Sequence, residues 1–217
     1  MGRHYRLRLR HHQVQPRRND ALETALQFND RIDRAKAVAA DSQGNVYVTG
    51  ESWSGTSFDI ATVKYSPAGV RLWARRSKGG ANESSAANPW AIAVDGQDNV
   101  YVTGRGMRGY LTLKYNPAGQ RLWSIRDQTA VAPDDQGNVY ATGWALGSGT
   151  GVDILTTKYN SAAEKLWQIN FTTPGENGDY PRAIALDGQG NVLVTGWVGN
   201  AVEEFATDWV TIKYSQP

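Results

Sequence analysis

The chain has 217 residues, 40% of them hydrophobic and 20% charged, with 23 glycines and 8 tryptophans, the composition of a folded chain rather than a disordered one. It has no cysteine, which excludes disulfides, thiolate nucleophiles and Cys-based metal sites, and no run nears the roughly 18 apolar residues of a membrane helix. The formal net charge of +2 hides an asymmetry: residues 1–20 carry +5, which leaves the remainder at −3 and argues against nucleic acid as a partner.

Along the chain, the first 20 residues hold Arg3, Arg6, Arg8, Arg10, Arg17 and Arg18 against Asp20, and all three histidines (His4, His11, His12). This stretch reads as a disordered basic tail. Arginines at 6, 8 and 10 interrupt any apolar run, so no signal peptide is visible. Histidine base chemistry and histidine metal ligation are excluded from everything after residue 12. The next segment, Thr24-Ala25-Leu26-Gln27-Phe28, is expected to be a strand; a short helix capped by Asp20 is the alternative.

From residue 33 a pattern recurs four times. Asp41-Ser-Gln-Gly-Asn-Val-Tyr-Val-Thr-Gly50 returns at 95–104, 134–143 and 187–196, and the spacing between its asparagines is 54, 39 and 53. A Lys-Tyr pair follows each time (Lys64, Lys114, Lys158, Lys213), and a Leu-Trp ends the first three at Trp73, Trp123 and Trp167. Periods of this length with several short strands apiece signal propeller blades.

Four strands per repeat are predicted. Strand A carries Ala-(Val/Ile)-Ala, small enough for the crowded axis, and strand B is Asn-Val-Tyr-Val-Thr. Strand C carries Lys-Tyr and strand D Leu-Trp. Asp and Asn bracket the A–B turns, and Pro67-Ala-Gly69 and Pro117-Ala-Gly119 make the C–D turns. The third C–D turn, Asn160-Ser-Ala-Ala163, lacks both proline and glycine and should be looser or more strained. The fourth repeat stops after strand C, so residues 24–28 are expected to complete that blade and remove an open edge. The Lys and Leu-Trp positions read as blade packing, with lysine stems covering apolar surface.

These motifs, D-x-x-G-N-V-Y-V-T-G, D-x-x-T-x-K-Y-(N/S)-x-A-G and L-W, resemble the bacterial SBBP-type β-propeller repeat over residues 33–214. The resemblance implies an all-β propeller module at a bacterial surface or outside the cell, with no common enzymatic activity. The expected organisation is a basic tail at 1–20 and a propeller domain at 21–217, with four-stranded antiparallel blades at about 33–76, 90–126, 129–170 and 179–214. The family name suggests seven blades. If four do not close alone, an edge-to-edge homodimer follows.

Function should sit on one face. The A–B and C–D turns are uniform, whereas the B–C and D–A loops vary and open together on the other side. There the sequence offers Glu51, Trp53, Arg105, Arg108, Trp144, Trp197 and Glu203 as ligand-binding residues, with Lys78, Glu83, Glu176 and Asn177 on D–A loops. Tryptophan with arginine and carboxylates suits a protein or glycan partner. For Trp144 and Trp197, packing between blades is the competing expectation. No cofactor, metal site or catalytic residue is expected. Gly104-Arg-Gly-Met-Arg-Gly109 imitates a dinucleotide loop but runs into a strand. Asp59, Asp153 and Asp208 recur before strand C, where backbone capping is favoured over a cation site. The alternative function is a polysaccharide lyase or hydrolase using two converging carboxylates with arginine.

Overall fold

The computed structural model describes residues 33–78, 87–106, 109–146, 151–173, 178–199 and 207–215. These residues form fifteen strands and no helix, and so no helix able to cross a membrane. The first sheet comprises β1 (Asp33–Ala40), β2 (Val46–Trp53), β3 (Phe58–Tyr65) and β4 (Arg71–Ser77). The second comprises β5 (Asn88–Val94), β6 (Val100–Gly106), β7 (Gly109–Tyr115) and β8 (Arg121–Arg126). The third holds β9 (Gln128–Pro133), β10 (Val139–Leu146), β11 (Val152–Tyr159) and β12 (Lys165–Phe171). The fourth has three strands, β13 (Tyr180–Leu186), β14 (Val192–Gly199) and β15 (Thr207–Tyr214). Every sheet is an antiparallel meander in chain order.

The alanine strands lie side by side: β1 packs beside β5, β5 beside β9, and β9 beside β13. Small residues at period two let these backbones approach, as the sequence predicts for the innermost strand. No comparable packing joins the fourth sheet to the first among the described residues. The expected closing strand at 24–28 lies outside the described residues, as does the basic tail.

Each A–B turn is built by its aspartate. Asp41 Oδ1 accepts from the backbone N–H of Gln43 (3.0 Å) and Asn45 (2.8 Å), and Oδ2 from the Asn45 amide at 2.8 Å. Asp95, Asp134 and Asp187 repeat this set. The turn needs a left-handed residue, supplied by Gly44, Gly137 and Gly190 but by Asp98 in the second repeat (φ 60°). Asp98 takes on a further role there. Its carboxylate accepts from Ser42 N–H (3.2 Å), Ser42 Oγ (3.1 Å) and Gln43 Nε2 (3.2 Å), tying the first sheet's turn to the second's. The third C–D turn keeps its register with Ala163 at φ 68°, strained as expected.

Sheets stack by one scheme. Tyr47, Ile60 and Trp73 of the first sheet pack against Val100, Val102, Leu113 and Tyr115 of the second. Trp73 Nε1 donates to Pro117 O at 2.9 Å, and Trp123 Nε1 to Ser161 O at 3.0 Å in the next sheet. Tyr140 and Ile154 of the third sheet meet Val192 and Val194 of the fourth, with Trp167 packed alongside.

The recurring lysine departs from the sequence reading. In the first two repeats its ammonium is buried, not only its stem, whereas Lys158 is half-buried and Lys213 exposed. Lys64 Nζ lies 3.1 Å from Asp41 Oδ2 and 4.8 Å from the Tyr47 ring centroid, and Tyr47 Oη donates to the same carboxylate at 3.0 Å. The cause is register: Tyr47 pairs with Lys64, which carries the charge to the turn. Burial alone would raise the Asp41 pKa, yet hydrogen bonds from Asn45, Lys64 and Tyr47 outweigh it and hold the carboxyl at about 2. Burial and then Asp41 push the Tyr47 hydroxyl far up, so it stays protonated as a donor. Lys114 repeats the arrangement 3.8 Å from Asp95, its pKa lowered by burial against the pull of that carboxylate.

Candidate functional site

The Thr-Gly that ends each repeat's motif fixes how strand A meets strand B. A Cβ on Gly50 would fall on the carbonyl of Arg34, and Gly143 and Gly196 face the carbonyls of Asp127 and Tyr180 in the same way. The inner strand passes this glycine through a β-bulge. The register skips between Ala35 and Ala37, Pro89 and Ala91, Gln128 and Ala130, and Pro181 and Ala183. The bulged residues are therefore Lys36, Trp90, Thr129 and Arg182. A bulge re-aims its side chain, which makes it a natural place for recognition.

Three of these four line one cavity of about 530 Å³, at the sheet ends that carry the β6–β7 and β10–β11 hairpins. Trp90 and Tyr110 of the second sheet meet edge to face at 5.5 Å, and Tyr110 meets Trp144 of the third at 6.5 Å. Tyr180 and Trp197 of the fourth sheet stack at 4.3 Å and 24° on the same cavity. Trp90 is steadied by its indole N–H, which donates to Thr129 O at 2.8 Å. Trp90 and Trp144 each remain 37% exposed, so both rings pack on Tyr110 and still offer part of their surface to solvent. Arg105 and Arg182 complete the wall with Asn88 and Pro181, and the described lining contains no carboxylate.

The cavity brings together Arg105, Trp144 and Trp197 of the residues singled out in the sequence. Glu51 and Trp53 are not part of it. Glu51 is buried in the first sheet, 3.5 Å from Arg34 and 3.3 Å from Lys36, and Trp53 packs edge to face on Phe58 at 5.0 Å. Arg108, Glu203, Glu83, Glu176 and Asn177 lie outside the described residues. The placement also differs in kind: Glu51, Trp53, Arg105, Trp144 and Trp197 all sit in strands, because antiparallel pairing continues past Thr-Gly to Trp53↔Phe58, Arg105↔Tyr110 and Trp197↔Trp209.

Trp90, Tyr110, Tyr180 and Arg182 were missed. A signal existed for two of them: the residue just before the repeated Ala-(Val/Ile)-Ala differs in every repeat, as Lys36, Trp90, Thr129 and Arg182. Asp59 and Asp153 are buried in separate sheets, Asp59 beside Arg76 at 3.9 Å, and Asp208 is exposed on β15. Among the described residues no three acidic or histidine side chains gather as a metal site.

A second cavity, about 360 Å³, lies on the first sheet beside Val46, Val48, Tyr65 and Pro67, and Asp33, Arg34 and the sequence candidate Glu51 also line it. In the second sheet the matching residues, Val100, Tyr115 and Pro117, receive Trp73 of the sheet before. It is a sheet-packing surface by construction and is not the candidate site.

Residues 28–59 match the family model of the SBBP β-propeller repeat. No curated protein matches the sequence. A PL25 ulvan lyase solved with bound -[GlcA(1-4)Rha3S]- shares the fold at a TM-score of 0.51 and 9% identity, over 89% of this chain and 57% of that one. A second PL25 ulvan lyase structure gives 0.50, 9%, 89% and 57%. The polysaccharide lyase Uly1 follows at 0.45 and 11% identity, over 89% and 52%. This chain thus spans just over half the length of these structures, and at such identities the likeness is one of fold.

Proposed function

We propose that this SBBP-type β-propeller repeat chain is a non-catalytic glycan-binding module, acting at the loop-side cavity. One observation carries the reading: Trp90, Tyr110, Trp144, Tyr180 and Trp197 converge from three sheets on one open cavity. The C–H faces of a sugar ring are apolar and slightly positive, and they stack on the negative face of an aromatic ring. The volume falls in the ordinary range of ligand pockets, and the rings are held on strand ends rather than on mobile loops. A protein partner would call for a larger continuous surface, of about 800 Å² per side. The SBBP resemblance supports a location at the cell surface or outside the cell for the module. The lyase or hydrolase reading needs a pair of carboxylates, and the described lining supplies none.

The test is calorimetric titration with a panel of neutral and acidic polysaccharides. At least one should bind, and Trp144→Ala should weaken it tenfold or more without moving the unfolding midpoint. No binding across the panel, or an unaffected Trp144→Ala variant, would overturn the proposal. Appearance of unsaturated or reducing sugar ends during the titration would replace it with the enzymatic reading.

A further inference from the structure

We infer that the ligand of this cavity is anionic, a sugar bearing a carboxylate or a sulfate ester, and that Arg182 at the fourth sheet's bulge and Arg105 at the end of β6 select for it; the inference rests on the glycan reading above.

On the first sheet Arg34 is engaged with Glu51, Arg76 with Asp59, and Arg75 with the carbonyl of Ala118. Arg105 and Arg182 line the cavity with no ion pair or hydrogen bond among the described residues. Two guanidinium groups in one aromatic cavity, without a carboxylate in the described lining, make that described lining positive. It stands out because residues 21–217 as a whole carry −3.

A neutral glycan offers these two guanidinium groups only hydroxyl and ring-oxygen acceptors, against the cost of partly desolvating two charges. An oxyanion gains twice, because a guanidinium fork matches a carboxylate or sulfate with two parallel N–H···O bonds. Position supports the same conclusion. Arg182 occupies the bulge filled by Lys36 in the first sheet, where the cation is neutralised 3.3 Å from Glu51. In the fourth sheet the equivalent cation has no carboxylate partner among the described residues and lies beside stacked Tyr180 and Trp197, an aromatic platform next to a cation.

The experiment titrates the full chain with polygalacturonate, dextran sulfate, neutral dextran, neutral xylan and polyglutamate, at low and moderate salt. Either acidic polysaccharide should bind at least tenfold more tightly than both neutral ones, and which of the two binds separates a carboxylate from a sulfate. Arg182→Gln with Arg105→Gln should lose that tenfold preference with an unchanged unfolding midpoint, while Arg182→Lys retains part of it. Equal binding of dextran or xylan sinks the inference and leaves the glycan reading standing. Polyglutamate binding as tightly as polygalacturonate shows recognition of charge without sugar and also sinks it. Failure of every polysaccharide sinks the glycan reading itself.

Discussion

A Cβ on Gly119 in the second sheet would lie 2.8 Å from the ring of Trp73 in the first, the same indole whose N–H donates to Pro117 O at 2.9 Å. The C–D turn of one sheet is therefore the socket for the tryptophan of the sheet before. Gly119→Ala should cost about 1–2 kcal/mol for its left-handed backbone plus about 1–3 kcal/mol for the displaced indole. Gly190→Ala shares a φ near +79° but meets nothing within 4 Å, so only the backbone cost applies. Urea unfolding of the pair measures the difference. Equal losses would show that the socket does not bind the sheets together.

Asp41 should be among the costliest single polar positions. Asp41→Asn leaves the buried Lys64 ammonium without its partner and disturbs the turn, for a loss of about 3–5 kcal/mol. Adding Lys64→Met should recover part of that loss, because the two sites share one network. Additive losses in the double variant would deny the coupling.

The same aspartate makes stability depend on acid. Its folded pKa of about 2 lies below the ordinary 3.8, so the unfolded chain takes up the proton first as pH falls. The contribution, roughly 2 kcal/mol, is fully present above pH 4 and fades as pH drops toward 2. The gap between the unfolding midpoints of wild type and Asp41→Asn should therefore narrow between pH 4 and 2 without closing. A constant gap across that window would place the effect elsewhere.

The third C–D turn offers a stabilising change. Ala163 holds φ 68° with its N–H on Asn160 O at 3.0 Å. Ala163→Gly relieves about 1–2 kcal/mol of left-handed strain against about 0.5–1 kcal/mol of added chain entropy. A melting temperature that rises by a few degrees is expected; a fall would mean that the alanine methyl packs.

Arg105→Glu should leave stability within about 0.5 kcal/mol, since the guanidinium has no partner among the described residues. A cooperative loss of fold, read by thermal unfolding, would make this side chain structural.

Much of the architecture was legible because it repeats. Asp41, Asn45, Thr49 and Gly50 recur with fixed offsets, and each offset is a local bond or a steric need: the carboxylate on two N–H groups, the glycine under the inner strand. Tyr47, Lys64 and Trp73 also recur, but their meaning depends on strand pairing, and the buried ion pair was not visible in spacing alone. For the site, Trp144 and Trp197 stood out after Thr-Gly, whereas Trp90 and Arg182 hid in strands read as uniform.

By itself the sequence determined the strands, the turns and their order, because hydrogen bonds across two to four residues and alternating side chains are local consequences of residue type. Only the tertiary structure decided which side chains share a space. Arg105, Trp144 and Arg182 come from three sheets, and their meeting depends on how each bulge aims its residue and how closely the alanine strands let the sheets approach. Those are relations between distant segments, fixed by packing rather than by any local preference.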